Sequence, residues 1–169
     1  MNLTRRHVLA SLAASAGAGG LGLAATAARW WDRPPGAGLQ TLSEDEHAFV
    51  QALAEAWMPR GGEPELSGAD AGLGDFLDAS LVSMTPLNRS GMKLLLQALD
   101  DSTLPLHLSA YRHLPRKQRQ RILYGWLHHD SSLVRTAVQG VAVLMAVGWT
   151  THPEVAAILS PSMRCWYGR

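Results

Sequence analysis

The chain has 169 residues, 47% hydrophobic and 17% charged, with a net charge of +1 and one cysteine. That balance implies neither a nucleic acid nor an anionic surface as partner through total charge, and one thiol excludes an internal disulfide. The length allows one domain with a real core, and not two.

Thr4-Arg5-Arg6-His7-Val8-Leu9 sets two adjacent arginines ahead of an apolar residue and a leucine, and Val8 to Ala28 is uncharged and dominated by Ala, Gly and Leu. This reads as a twin-arginine export signal, with Arg5, Arg6 and Leu9 its recognition residues. Such a signal sends a protein across the membrane already folded. Ala25-Thr26-Ala27 offers small side chains at the two positions a signal peptidase inspects, so cleavage is expected before Ala28, with residues 1–27 as the signal peptide. The alternative is a retained anchor, since the uncharged run is long enough to span a bilayer. Gly17, Gly19, Gly20 and Gly22 weaken it by lowering hydrophobicity and helix propensity. Trp30 and Trp31 beside Arg29 would suit a membrane interface if the segment stays. Loss of Arg5 and Arg6 takes the net charge from +1 to −1, and export itself argues against nucleic acid.

Residues 28–41, with Pro34, Pro35, Gly36 and Gly38, read as a linker with no structure of its own. Ser43 with Glu46 forms a capping box, and Phe49, Val50, Leu53, Ala54, Trp57 and Met58 continue it as an amphipathic helix that Pro59 ends. Arg60 to Gly74 is poor in apolar residues and is expected to be a long loop that contacts a partner. Helices are then expected over Asp75–Met84, from Pro86 through Leu99, and over Arg116–His128 with Arg116, Lys117, Arg119 and Arg121 mainly outward. Asp100 to Pro105 reads as a turn. Ser132 to Trp149 has no charge after Arg135 and is apolar all round from Val141, so it is either the buried central helix or a helix pressed against another protein. A short helix over Glu154–Leu159 and an irregular tail with Arg164, Cys165, Trp166 and Tyr167 close the chain. No segment alternates as a half-exposed strand does. The expectation is all-α: a single compact domain of five or six helices over residues 42–169, behind the signal.

Chemistry is sparse. No glycine-rich loop follows a strand, no cysteine pair offers a zinc or iron–sulfur site, and no C-x-x-C-H attaches haem, so no cofactor bound by this chain is expected. His128 and His129 are adjacent, pointing about 100° apart on a helix rather than sharing a face, and His107 and His113 lie upstream. No metal site is expected from them. Asp75 with Asp78, and Asp100 with Asp101, are candidate acid–base pairs, against which Asp75 reads as a helix cap and Asp100-Asp101 as a turn. No catalytic residue is assigned. Cys165 is free, buried or joined to another chain, and an intersubunit disulfide is the sharper of these readings. Acids concentrate between Glu44 and Asp78 and bases between Arg112 and Arg135, either as faces that attract each other within the domain or as a basic helix that docks an acidic partner.

Several features in order resemble the small subunit of membrane-associated flavin dehydrogenases, the gluconate 2-dehydrogenase subunit 3 family. They are the twin-arginine leader, Leu42-Ser43-Glu44-Asp45-Glu46 opening a helix that ends at Trp57-Met58-Pro59, and a loop with Ala69 and Gly72. Phe76-Leu77-Asp78, Leu99-Asp100, Leu114-Pro115-Arg116-Lys117-Gln118-Arg119 and Gly148-Trp149-Thr150-Thr151-His152-Pro153 follow, so the resemblance covers roughly Leu42 to Pro153. It implies a non-catalytic subunit that binds a large FAD-dependent dehydrogenase of the glucose–methanol–choline class. It also implies that the small subunit carries this partner through the twin-arginine translocase to the periplasm, with a cytochrome c subunit bearing haem c as a third component. FAD would sit in the large subunit. The expected contacts are Val141, Leu144, Met145 and Trp149, the loop Arg60 to Gly74, and Trp166 and Tyr167. The competing reading is a stand-alone exported helical binding protein, or a membrane-anchored scaffold.

Overall fold

Helix α1, Glu44–Trp57, starts where the capping box predicts. The Ser43 N–H donates to Glu46 Oε2 at 2.7 Å and the Glu46 N–H to Ser43 Oγ at 3.3 Å. Two amide groups that a helix start leaves over are thereby satisfied. The computed structural model describes residues 33–159. Arg5, Arg6, Leu9, Ala25, Ala27, Cys165, Trp166 and Tyr167 lie outside the described residues.

Five further helices follow: α2 Leu73–Val82, α3 Pro86–Asp101, α4 Leu104–His107, α5 Arg116–Leu127 and α6 Ser132–Thr151. A 3-10 turn, Tyr111–His113, precedes α5, and residues 153–159 are helical again. Among the described residues there is no strand, and the all-α single domain is as expected.

The central helix is α1 and not α6. It packs against α2, α3, the 3-10 turn and α5, whereas α6 lies on α2 and α5. Phe49, Val50 and Leu53 of α1 are buried against a core that includes Leu73, Leu77 and Leu81, Leu96, Tyr111, Leu123, Val138, Val141 and Met145. The Tyr111 ring meets Phe49 edge-on at 5.5 Å and stacks on Trp126 at 5.0 Å, tying the 3-10 turn to α1 and α5. Its buried hydroxyl donates to the Arg119 carbonyl oxygen, and burial pushes its pKa up.

Boundaries differ from expectation at both ends of α2, at the end of α3, and at α4, which begins inside the stretch Asp100 to Pro105 that reads as a turn. Gly72, at φ +66°, caps α2 in the left-handed conformation, so the helix opens at Leu73 rather than at Asp75. Asp75 is not the cap: it lies in the first turn, 2.8 Å from His47 Nε2 on α1. Asp100 and Asp101 do not form a turn either, for α3 runs through both and Asp100 is buried. Between α1 and α2 the chain is tethered, since Asp70 binds Arg60, the Ser67 N–H and the Ser67 hydroxyl. Those bonds hold the Asp70 carboxyl below its ordinary range, the Arg60 guanidinium contributing most. Gly68 lies against α1 so closely that a Cβ would come within 2.6 Å of the Ala54 carbonyl oxygen.

Candidate functional site

The polar groups that resemble chemistry in the sequence are used to hold the fold. Asp78 is buried and accepts four hydrogen bonds: from the amides of Gln40 at 2.7 Å, Thr41 at 2.9 Å and Leu42 at 2.7 Å, and from the Thr41 hydroxyl at 2.8 Å. Burial raises its pKa, but the bonds from Leu42, Gln40 and Thr41 outweigh burial and hold it below the usual carboxylate range. With its oxygens taken up in this way it does not pair with Asp75. Lys93 completes the clasp, its Nζ donating to the carbonyls of Arg33 at 3.1 Å and Thr41 at 2.7 Å. The segment 33–41, which reads as a structureless linker, is therefore fastened to the domain as far out as Arg33.

Asp100 belongs to a charge ladder. Its Oδ1 accepts the Arg112 N–H at 3.0 Å, its Oδ2 pairs with the Arg112 guanidinium, and that group also reaches Asp45 at 3.1 Å. Arg33 pairs with the same Asp45 at 2.8 Å. Burial pushes the Asp100 pKa up further than Arg112 brings it down, and the nearby Asp101 adds to the rise. Beside it, buried Glu46 is held by the Ser43 amide, by Gln97 and by Lys93 at 3.3 Å. The cavity among these groups is about 10 Å³, room for one water and no substrate.

His107, His128 and His129 are engaged separately. His107 Nδ1 lies 2.9 Å from Gln118 Nε2, the Tyr124 carbonyl lies 2.9 Å from His128 Nδ1, and His129 Nδ1 accepts the Ser131 amide at 3.0 Å. Among the described residues no three His, Cys, Asp or Glu side chains converge as a metal site would need.

Of the bases expected outward on α5, Arg119 turns inward. It is buried, with Nη1 donating to the Ala52 carbonyl at 2.8 Å and Nη2 to Glu55 at 2.5 Å. Its position in the sequence carried the signal: it is three, four and seven residues before Ile122, Leu123 and Trp126, on their face of the helix. Arg112 and Arg119 thus join the basic and acidic segments inside the molecule, as the intramolecular reading of the charge pattern has it. Arg116, Lys117 and Arg121 remain exposed.

One surface that the domain leaves open is the outer face of α6. Val138, Val141, Met145 and Gly148 point into the core, and Leu144 and Trp149 are half-buried against it. Val141 and Met145 are therefore unavailable to a partner, contrary to expectation, because the chain's own α2 and α5 cover them. The opposite stripe carries Leu133, Thr136, Gly140, Val143, Val147 and Thr150, all exposed. Only 22% of the most apolar 18-residue window of this helix is buried. Its length, about 30 Å, and its composition would allow it to cross a membrane, a test that core helices also pass. Comparison with known protein families, with curated proteins and with solved structures finds no match to the chain.

Proposed function

We propose that this chain is a non-catalytic accessory subunit that binds a larger exported flavoprotein, an FAD-dependent sugar or alcohol dehydrogenase of the glucose–methanol–choline class, and takes it through the twin-arginine translocase. The single observation that carries the reading is the outer face of α6: sixteen residues from Thr136 to Thr151 without a charge, with Val143 and Val147 turned to solvent. Burying what remains exposed of each valine would contribute about 1 kcal/mol, a reason for a larger chain to cover them. The twin-arginine pattern and the order of motifs that resembles the small-subunit family support the same reading. Electrons would pass from FAD in the large subunit to haem c in a cytochrome subunit, with no cofactor on this chain.

Co-expression with the flavoprotein tests it. The pair Arg5→Lys and Arg6→Lys is expected to leave both chains in the cytoplasm, measured by fractionation and by dehydrogenase activity with an artificial acceptor. Export of the flavoprotein despite the double substitution would end the carrier role.

A further inference from the structure

A second surface stands apart from the outer face of α6, and it combines protruding leucines with uncommitted positive charge. The loop that holds α4 displays Leu106 at 83% and Leu108 at 91% exposure, with Leu104 beside them. This display is built. The buried Thr103 hydroxyl donates to the Ser109 carbonyl at 2.7 Å across the loop's base, and the Leu108 amide donates to the Leu104 carbonyl at 2.9 Å. Leu108 sits at φ +53°, in the left-handed region that leucine adopts only at a cost. Leu108 ends α4 in this conformation with its side chain in solvent.

The Gln118–His107 contact places this loop against the exposed side of α5. Arg121 lies one turn further along Gln118's side of that helix and Lys117 one turn before Arg121, whereas Arg116, two residues before Gln118, faces the other flank. Unlike Arg112 and Arg119, these three bases make no ion pair with any described carboxylate. From Ser102 to His129 the sequence contains no Asp or Glu, so nothing there repels a phosphate. Tyr124, exposed and stacked on His128 at 4.0 Å, adds an amphipathic ring next to Arg121.

We propose that the Leu104–Leu108 loop with Lys117 and Arg121 seats this domain on an anionic lipid surface. The leucines enter the headgroup boundary and the bases meet the phosphates. Charge complementarity favours lipid over a protein groove: single leucines on a four-residue helix need no shape-matched pocket in a bilayer, and local bases set beside apolar points are what interfacial binding uses. The inference does not rest on the small-subunit reading.

The test uses the full chain with Cys165→Ser and an environment-sensitive fluorophore on Leu106→Cys, and the same label on Ala79→Cys of α2 as reference. The probe is a phosphatidylcholine vesicle containing phosphatidylglycerol and nitroxide-labelled lipid. The label at 106 is expected to shift to the blue and be quenched, and the label at 79 to do neither. Replacing Lys117 and Arg121 by Gln is expected to raise the lipid concentration at half-maximal quenching about thirtyfold at low salt. An N-terminal segment that brings the chain to the vesicle by itself does not quench 106 selectively. Equal quenching at both positions, no quenching at 106, an unchanged midpoint in the double variant, or a response only to added flavoprotein would each overturn the proposal. The last would assign the loop to a protein, and none of the four bears on export.

Discussion

Asp78 shows how one carboxylate takes the place of a missing secondary structure. The residues it binds, Gln40 to Leu42, belong to no helix, so their amides have no ladder to join, and buried amides without partners are costly. Hydrogen bonds to a charged group contribute about 1.5–3 kcal/mol, and Asn offers one oxygen where Asp offers two. Asp78→Asn is therefore expected to destabilise the domain by roughly 2–3 kcal/mol in urea unfolding near neutral pH. Because the Asp78 pKa is lowered by folding, its contribution is fully present above the unfolded carboxylate value of about 4 and is lost as pH falls through the folded value. The difference between Asp78→Asn and the natural chain should then shrink on acidification below about pH 4. Asp100 works in the opposite sense, since its raised pKa means that acid relieves the cost of keeping it ionised in the fold.

At the scale of elements, the starts of α1 and α3 were legible because capping is a local matter. Ser43 with Glu46, and Thr85 before Pro86, act within three residues of themselves. The start of α2 was less so, because it depends on a glycine at positive φ that sequence does not distinguish from any other glycine in the loop. Two glycines of α6 make the same point. A Cβ at Gly148 would come within 2.6 Å of the Phe76 ring, whereas at Gly140 nothing lies within 4 Å. Gly148→Ala is expected to cost about 1–3 kcal/mol through overpacking. Gly140→Ala should stabilise by up to about 1 kcal/mol, since the helix gains propensity and no neighbour is displaced. Thermal unfolding of the two variants, read by circular dichroism, checks the pair.

At the scale of the molecule, a nearly neutral total charge conceals a bipolar chain whose halves meet through Arg112 with Asp45 and Asp100, and through Arg119 with Glu55. What this pairing leaves uncovered is the outer stripe of α6. If that stripe binds the flavoprotein, Val143→Asp with Val147→Asp should abolish co-purification while the isolated domain still folds, its stability lowered by about 1–2 kcal/mol through the like charges four residues apart near the end of a helix. Val141→Asp, by contrast, should prevent folding, because it would bury an unpaired charge. Retained co-purification by the exposed pair, measured by affinity capture of the natural flavoprotein, would move the interface elsewhere.

Helix content, the starts of α1, α3, α5 and α6, the capping box and the all-α class were determined by the sequence alone, since each rests on spacing or contacts within a turn or two of the chain. Tertiary structure decided which side of an all-round apolar helix faces inward, because periodicity relates residues 138, 141 and 145 to one another without saying where the core lies. It also decided that Arg33 to Gln40 is fastened and which groups the inward-facing Arg119 meets. The partners there are 36 to 38 residues away for Asp78 and 64 to 67 for Arg119, distances over which only the folded chain brings donor and acceptor together.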